Sequence, residues 1–339
     1  MSAYENTLRP ATGSPRWRKL DGRYADAAMG LTAIAAILVS SAVDVMPMSD
    51  APKAPAAASA SSSIRGAHSD QQRFLDREKV ASFYLAQPWY HRSDTKMQRN
   101  DGTDITLKHM GWDGDMLMPP IDGGVRYIDW FGPAGFMVDF LHNKAIARLG
   151  KGAHGRKVAN PVIETVETEG KLKGEPAPPK LKLTDLFDRF EFTHGQNMLL
   201  FGGALRFSGL SSRIRPYVAF GAGVAVPHVE VWFKGEKLEN RTNEYQYVGP
   251  AASAMAGVEL RVGRVAWYLE YKFSWASISG LLTGNESWKN FNLPGDLLRQ
   301  FSAWWNGEKG ASGNFPTTLT AYQFVIGGGW GMPPTPAAP

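Results

Sequence analysis

The stretch "VAWYLEYKFSWAS" (265–277) alternates strictly between two kinds of side chain. One face of an extended chain would carry only bulky apolar and aromatic residues: Trp267, Leu269, Tyr271, Phe273 and Trp275. The other face would carry a mixed polar set: Tyr268, Glu270, Lys272 and Ser274. Successive side chains of a β-strand point to opposite faces. The stretch therefore predicts a strand of a lipid-embedded barrel, with its apolar face outward and its charged face toward the lumen.

The same period of two recurs along the ordered part of the chain. The predicted strands are 80–92, 123–131, 136–147, 190–207, 215–233, 244–262, 265–277 and 318–330. The connections after the second, fourth and sixth strands are short: 132–135, 208–213 and 263–264. The other connections are long: 93–118, 148–186, 235–243 and 278–317. This alternation predicts an all-β fold, an eight-stranded antiparallel up-and-down transmembrane β-barrel with four long outer loops.

Composition limits the possible function. The chain has 339 residues and a formal net charge of +5, with acids and bases mixed along it rather than segregated into blocks. The absence of a basic run argues against a nucleic-acid partner. The absence of cysteine excludes disulfides and thiolate chemistry, and it suits a protein that crosses an oxidising compartment.

The N-terminal region has the composition of a targeting segment. An apolar run, "AMGLTAIAAILVSSAV" (28–43), follows a basic region and precedes an Ala/Ser-rich stretch. We expect residues 1–48 to be an export signal or an N-terminal anchor, and 49–78 to be a disordered linker. The barrel is expected over 79–331 and a Pro/Ala tail over 332–339. An exported barrel of this kind indicates the outer membrane of a Gram-negative bacterium.

Two sets of side chains need particular environments. The inward charges Asp139, Arg206, Glu259, Glu270 and Lys272 are predicted to form a paired network that fills the lumen, because eight strands leave an interior just wide enough for side chains. The stretch "FDRFEFTHGQN" (187–197) places three phenylalanines among charged residues. We expect its phenylalanines to face lipid and its polar residues to face the lumen and rim.

Strand direction brings titratable residues to the outer end of the barrel. His142, His194 and His228 come from three different strands, and Glu191 and Glu230 lie beside the last two. Imidazoles and carboxylates can bind Zn or Fe(II), or exchange protons during catalysis. The hypothesis assigns His142, His228 and Glu230 as metal ligands and Glu191 and His194 as catalytic residues. The alternative is the ordinary polarity of a barrel's mouth.

Several segments resemble one family in particular. In chain order they are "DGTDITLKHMGWDG" (101–114), "PPIDGGVRY" (119–127), "VDFLHNKAIA" (138–147), "FDRFEFTHGQNMLL" (187–200) and "RPYVAFGAGVAVPHVEV" (215–231). These strings resemble the lipid A oxidases of rhizobial outer membranes, over about residues 80 to 275. The resemblance implies an outer-membrane barrel that oxidises the proximal glucosamine of lipid A to aminogluconate. It also implies molecular oxygen as co-substrate and a divalent metal such as Fe(II).

A site at the outer rim would meet the anionic headgroup of lipopolysaccharide. Lys144, Arg148 and Arg189 are predicted to bind its phosphates or uronates as charge-assisted pairs. The alternative is lipopolysaccharide docking without any chemistry.

Two other functions remain open on the sequence. A lipid A deacylase would use a His-x-Ser pair on a late strand, but the one such spacing here is at 91–93, on the first strand. A non-enzymatic barrel would bind lipopolysaccharide or a partner in a membrane complex. Its protein contacts would come from the N-terminal segment or the last loop, where "LPGDLLRQFSAWWNG" (293–307) predicts an amphipathic helix.

Overall fold

The computed structural model describes residues 77–207, 213–284, 292–308 and 312–332. Within these ranges, eight long strands form a closed antiparallel barrel. They are β1 (Arg77–Tyr90), β2 (Gly123–Phe131), β3 (Ala134–His142), β4 (Met198–Arg206), β5 (Ile214–Ala225), β6 (Gly249–Val262), β7 (Val265–Leu282) and β8 (Gly313–Met332). Each strand pairs with the next along the chain, and β8 pairs with β1 to close the barrel. The predicted eight-stranded fold is confirmed.

The connections alternate in length as predicted. The second and third strands are joined by Gly132 and Pro133, and β6 and β7 by Gly263 and Arg264. Gly263 has φ +61°, a left-handed conformation that side-chain-bearing residues rarely adopt. The segments 91–122, 143–197 and 226–248 and the described parts of 283–312 all lie at the opposite end, which we call the long-loop end.

The predicted terminal segments lie largely outside the described residues. The export signal or anchor (1–48), the linker as far as residue 76, and the tail from residue 333 all fall there. The barrel begins at Arg77, two residues before the predicted boundary, and Arg77 pairs with Phe131 of β2.

Side chains alternate between the two surfaces of the wall. On β7, Trp267 and Leu269 are 55% and 51% exposed on the outside, whereas Glu270 and Lys272 are buried inside. The outer surface of the barrel is therefore apolar and its interior carries charge. This is the arrangement that hydrocarbon requires, because closure pairs the backbone groups of every strand and hides polar side chains from lipid.

The lumen holds a central ion-pair network. Arg126 donates to both oxygens of Glu270 at 2.5 and 3.1 Å, and its Nε donates to Asp139 at 3.2 Å. Lys272 donates from Nζ to the other oxygen of Asp139 at 2.7 Å. Two cations and two carboxylates thus balance within the barrel.

A second network lies nearer the short turns. Arg206 Nη1 lies 3.1 Å from Glu78 Oε2, and Arg261 Nη2 lies 3.0 Å from Glu259 Oε1. Arg261 also contacts Glu78, at 3.1 Å. With the central network, this confirms the prediction that the inward charges are paired with one another.

Four of the predicted strands are each divided into two strands near the long-loop end, one in the barrel and one outside it. Beyond the barrel, five short strands form a separate antiparallel sheet, the outer sheet. In spatial order its strands are Thr242–Tyr245, His228–Phe233, Phe187–Phe192, Ala145–Ala147 and Trp112–Asp113. The predicted strands 136–147, 190–207, 215–233 and 244–262 are corrected accordingly, because the chain leaves the barrel between their halves.

Local sequence accounts for these breaks. Gly195 has φ +104°, and a Cβ there would come within 2.3 Å of His142 Nδ1. Pro227 has no amide hydrogen to continue a ladder, and Gly249 has φ +142° at the start of β6. The chain can therefore turn from the barrel wall into the outer sheet at these points.

The prediction that the phenylalanines of 187–192 face lipid is wrong. Phe187, Phe190 and Phe192 are at most 1% exposed. Phe190 packs edge-on against Trp112 and Phe315, with ring centroids 5.1 and 5.4 Å apart. The outer sheet packs its apolar face onto the upper end of β8, so these rings form a protein core rather than a lipid contact.

The remaining elements also lie at the long-loop end. The strands Ser93–Arg99, Asp104–Met110, Thr165–Leu172, Glu175–Pro176 and Lys180–Lys182 extend from the upper part of β8. Short helical turns occupy Ala153–Gly155, Leu183–Leu186 and Leu238–Asn240. The predicted amphipathic helix is confirmed as Leu293–Trp305, the outer helix. Among the described residues, no helix combines the length and the apolar character needed to cross a membrane.

Candidate functional site

The candidate site lies where two strands of the outer sheet run side by side. Glu191 of Phe187–Phe192 pairs directly with Glu230 of His228–Phe233. In antiparallel pairing, opposite residues project to the same face, so the two carboxylates converge. His228 opens the second strand, and Thr193 and His194 follow the first on its way to β4.

Glu230 is at the centre of the cluster. It is 1% exposed, and Thr193 donates to its Oε1 at 2.6 Å. The same oxygen lies 3.0 Å from His194 Nδ1 and 3.5 Å from His228 Nδ1. Arg189 donates to the other oxygen at 2.7 Å. Both carboxylate oxygens are therefore held in place by groups from two strands.

Glu191 occupies a second buried position. It accepts a hydrogen bond from the backbone N–H of His154 at 3.1 Å, and the same oxygen lies 3.3 Å from the Thr193 hydroxyl oxygen. Arg189 Nε lies 3.3 Å from the same oxygen. Arg189 thus sits between the two carboxylates, and its guanidinium also stacks on Trp232 with 4.0 Å to the ring centroid.

Four aromatic rings form a column beside the carboxylates. His154 and His194 have ring centroids 4.6 Å apart, as do His194 and His228. Tyr245 closes the column 4.7 Å from His228. His154 comes from the turn Ala153–Gly155 and has φ +56°, a conformation that costs a residue with a side chain about 1–3 kcal/mol. Such strain concentrates at functional positions.

Three of these residues fit a metal ion. His154, His194 and Glu230 each offer one ligand atom, and these atoms lie within 4.8 Å of one another. His154 Nε2 is buried without a hydrogen-bond partner among the described residues. Two imidazoles and one carboxylate are the donor set of non-haem Fe(II) oxygenases. The residues present therefore fit a divalent metal of this kind.

Electrostatics favour the forms of these groups that bind metals. Burial, followed by the adjacent negative charge of Glu230, raises the pKa of Glu191 well above its usual value. Burial opposes ionisation of Glu230 as well, but hydrogen bonds to His194 and His228 outweigh it and hold the pKa of Glu230 well below its usual value. Burial, then the charge of His194, lowers the pKa of His154 to about 4. A neutral His154 imidazole beside an ionised carboxylate is ready to coordinate a cation.

The structure brings together some of the predicted residues. Glu191, His194, His228, Glu230 and Arg189 all lie in the cluster.

Other predicted residues lie elsewhere. His142 is not one of the three residues whose ligand atoms converge, and its Nδ1 lies 2.8 Å from Asn197 Oδ1. Lys144 is fully buried and donates to Asp122 at 2.6 Å. Arg148 pairs with Asp113 at 2.9 Å. The roles assigned to all of these residues stay predictions.

Sequence reasoning missed two members of the cluster, His154 and Thr193. His154 lies in the long segment 143–197, in "KGAHGRK" (151–157). The sequence around it offers only a histidine between Ala153 and Gly155 in a basic loop. The residues that His154 contacts could not be predicted from the sequence, because a loop has no periodicity that fixes its position in the fold.

An open pocket of about 390 Å³ borders the turn that carries His154. Gly152 and Arg156, on either side of that turn, line it together with Trp89, Arg148 and Lys151. Arg156 pairs with Asp115 at 2.7 Å at one edge. The pocket is thus open at the long-loop end and lined by charges of both signs, because Arg148 and Arg156 are paired with its carboxylates Asp113 and Asp115.

No family model matches the chain, and no curated protein sequence matches it significantly. Among solved structures, Neisserial surface protein A (NspA) is similar with a TM-score of 0.28 and 8% identity, over 74% of this chain and 96% of that one.

Two more distant structures also match. The CymD monoaromatic hydrocarbon channel gives a TM-score of 0.17 and 4% identity, over 78% of this chain and 90% of that one. The Pseudomonas putida toluene transporter TodX gives a TM-score of 0.16 and 8% identity, over 75% of this chain and 89% of that one. These likenesses are too remote to bear on activity, so the resemblance to lipid A oxidases stays a hypothesis.

Proposed function

We propose that this protein lies in the outer membrane of a Gram-negative bacterium and oxidises the proximal glucosamine of lipid A to aminogluconate with molecular oxygen. The observation that supports this most directly is the cluster of His154, His194 and Glu230 at the long-loop end of a barrel with an apolar exterior. In an outer-membrane barrel the long loops face the cell exterior, where the lipid A headgroup lies.

In this proposal the three residues hold a divalent metal such as Fe(II), which supplies the site's capacity to bind and reduce oxygen. The protein contributes the arrangement of its ligands. Thr193 and Arg189 fix the Glu230 carboxylate through hydrogen bonds at 2.6 and 2.7 Å. Such supporting bonds orient metal ligands and tune their affinity. His228, whose ring meets that of His194 edge-on with centroids 4.6 Å apart, is an adjacent third imidazole.

The reaction balances as a two-electron oxidation. The sugar loses the hydrogen on C1 and the proton of the C1 hydroxyl, and a C1 carbonyl forms as a lactone. Oxygen takes up the two electrons and two protons and becomes hydrogen peroxide. Water then opens the lactone to the carboxylic acid. The substrate must carry a free anomeric hydroxyl, because a phosphate at C1 leaves no hydroxyl proton to remove.

Glu191 is proposed to exchange the hydroxyl proton. It is the second carboxylate of the cluster, and its raised pKa suits a group that takes up and releases a proton. Arg189, placed between Glu191 and Glu230, keeps the two carboxylates from repelling each other.

The neighbouring pocket is proposed to receive the headgroup. Arg148, Lys151 and Arg156 would pair with its phosphates or uronates, and Trp89 would lie against a sugar face. Among the residues assigned from sequence, Arg148 lines this pocket, whereas Arg189 is paired with Glu191 and Glu230 in the cluster. Lys144 is fully buried, so any part it plays in substrate binding would be indirect.

The test is oxidation by purified protein in vesicles that contain lipid A with a free anomeric hydroxyl, supplied with Fe(II) and air. We expect mass spectrometry to show a gain of one oxygen atom per lipid A, with matching hydrogen peroxide. The variants His194→Ala and Glu230→Gln should abolish the gain and lose metal by elemental analysis. His91→Ala is the matched control, because that histidine is exposed and packs on Tyr322 away from the cluster.

Other outcomes point to the other functions. Loss of an acyl chain would indicate a deacylase. Unchanged lipid A with retained lipopolysaccharide binding would indicate a non-enzymatic barrel. Full activity in both cluster variants would refute the assignment of the site.

A further inference from the structure

The outer helix, Leu293–Trp305, connects β7 to β8 at the long-loop end. Asn292 caps it by accepting a hydrogen bond from the backbone N–H of Gly295 at 3.1 Å, and Pro294 stands in its first turn. These are strong start signals. The helix is therefore a defined element of 13 residues rather than an irregular loop.

The helix is attached to the protein by its polar side chains. Asp296 is buried and accepts a hydrogen bond from the backbone N–H of Tyr245 at 3.0 Å. Gln300 both accepts from the Tyr247 N–H and donates to the Tyr247 carbonyl, each at 2.8 Å. Arg299 pairs with Glu244 on the same segment. The residues at spacings of three and four thus place the polar face of the helix against the outer sheet.

The opposite face is apolar and points away from the protein. Leu298, Phe301, Trp304 and Trp305 are 70%, 45%, 75% and 92% exposed. A helix on the surface of a protein in water shows the reverse arrangement, with its apolar stripe toward the core. Exposing two tryptophans and a leucine to water on one face would be unfavourable, and contiguous exposed apolar surface marks an interaction site.

The adjoining surface indicates what covers this face. The helix is tied to Tyr247, whose ring lies 6.4 Å from that of Phe301 and is itself exposed. Tyr247 stands two residues before β6, whose outward side chains belong to the apolar belt of the barrel. The apolar face of the helix is therefore close to the level at which the belt ends, where tryptophan and tyrosine favour the membrane interface.

We infer that the outer helix lies in the interfacial layer of the membrane, with Leu298, Phe301, Trp304 and Trp305 in contact with lipid. Helices with one apolar face bury it roughly 5–10 Å into the boundary between headgroups and acyl chains. Both charged residues of the helix are engaged with the protein, through Tyr245 and Glu244, so no charge opposes this burial. The inference does not depend on the proposed lipid A oxidation.

The test uses single nitroxide labels, which is straightforward because the chain contains no cysteine. Leu298→Cys and Trp305→Cys report on the helix. Phe220→Cys, on the lipid-facing side of β5, is the lipid reference. Lys237→Cys, whose native side chain is 81% exposed at the same end, is the water reference. Each labelled protein is purified, checked for heat-modifiable folding, and placed in phosphatidylcholine vesicles.

Collision rates with oxygen, which partitions into lipid, and with a water-soluble nickel chelate are then measured by power saturation. We expect the labels at Leu298 and Trp305 to favour oxygen, as the label at Phe220 does. Labels that favour the nickel chelate, as at Lys237, would overturn the inference and leave a protein partner as the occupant. Labels shielded from both reagents would also overturn it, because they would be buried within the protein.

Discussion

Replacing Lys272 by methionine should destabilise the barrel strongly, because Lys272 balances a charge that cannot reach water. The central lumen network contains Arg126, Asp139, Glu270 and Lys272, and each of these side chains is at most 2% exposed. Methionine nearly preserves the volume of lysine but removes its charge. Asp139 then keeps Arg126 at 3.2 Å and the Tyr84 hydroxyl at 2.9 Å. One guanidinium would face two carboxylates.

The magnitude follows from the geometry. At the observed 2.7 Å between Lys272 Nζ and Asp139 Oδ2, the gross attraction is roughly 6 kcal/mol at an effective dielectric constant of about 20. Desolvation offsets much of it in the native protein. Removing one partner leaves the other charge buried and uncompensated, which costs about 3–5 kcal/mol. We expect Asp139→Leu alone to lower the free energy of unfolding by a similar amount.

The double variant Asp139→Leu/Lys272→Met separates charge balance from packing. It leaves Arg126 and Glu270 as a neutral bidentate pair, with the Tyr217 hydroxyl 2.7 Å from Glu270. Replacing a complete buried pair by apolar groups is often neutral or stabilising. The double variant should therefore be more stable than either single variant.

The assay is denaturant unfolding of each variant in phospholipid vesicles, followed by tryptophan fluorescence and by the gel mobility of the folded barrel. Residues in contact should show a non-additive free energy of unfolding. A double variant whose loss equals the sum of the two single losses would refute the reasoning, since the two charges would then act independently.

Three further variants test other parts of the structure. Leu269→Arg places a charge in the lipid-facing belt and should cost roughly 2–4 kcal/mol at mid-depth, measured as unfolding in vesicles; an unchanged midpoint would contradict the lipid-facing assignment. Phe190→Ala should lower the stability of the outer sheet by about 3–5 kcal/mol and leave the barrel folded. We therefore expect proteases to cut segment 143–197 while the barrel keeps its gel mobility. Simultaneous loss of that mobility would show that the two sheets unfold together. Burial raises the pKa of Asp122 to about 6 despite its partner Lys144, so the folded state keeps a proton that the unfolded chain releases near pH 4. Stability from this group should therefore fall as pH rises from about 4 to about 6, and Asp122→Asn should flatten that part of a stability profile, whereas an unaltered slope would mean that other groups produce it.

The barrel could be predicted from sequence because its information is local. The alternation of apolar and polar residues along 265–277 predicts which side chains of β7 face outward and which face the lumen, since a strand has a period of two. The number of strands followed from counting such segments, and their directions followed from the lengths of the connections. Closure then required only that an even number of adjacent antiparallel strands leave no unpaired edge in hydrocarbon.

The outer sheet could not be predicted in the same way. A period of two continues through Phe187–Phe192 and through β4, although the two strands belong to different sheets. The burial of Phe190 depends on Trp112 and Phe315, which are distant in the chain. Lipid and a protein core both favour apolar side chains, so composition alone does not distinguish them.

The candidate site was likewise predictable only in part. Strand direction placed His194, His228, Glu191 and Glu230 at one end of the barrel, and this much the sequence determined by itself. Tertiary structure alone decided which of them meet, because direct contact depends on the pairing of Glu191 with Glu230 and on the path of a loop without periodicity. That path carries His154 into the cluster. Periodicity specifies which way a side chain points, whereas only the packing of distant segments specifies what it touches.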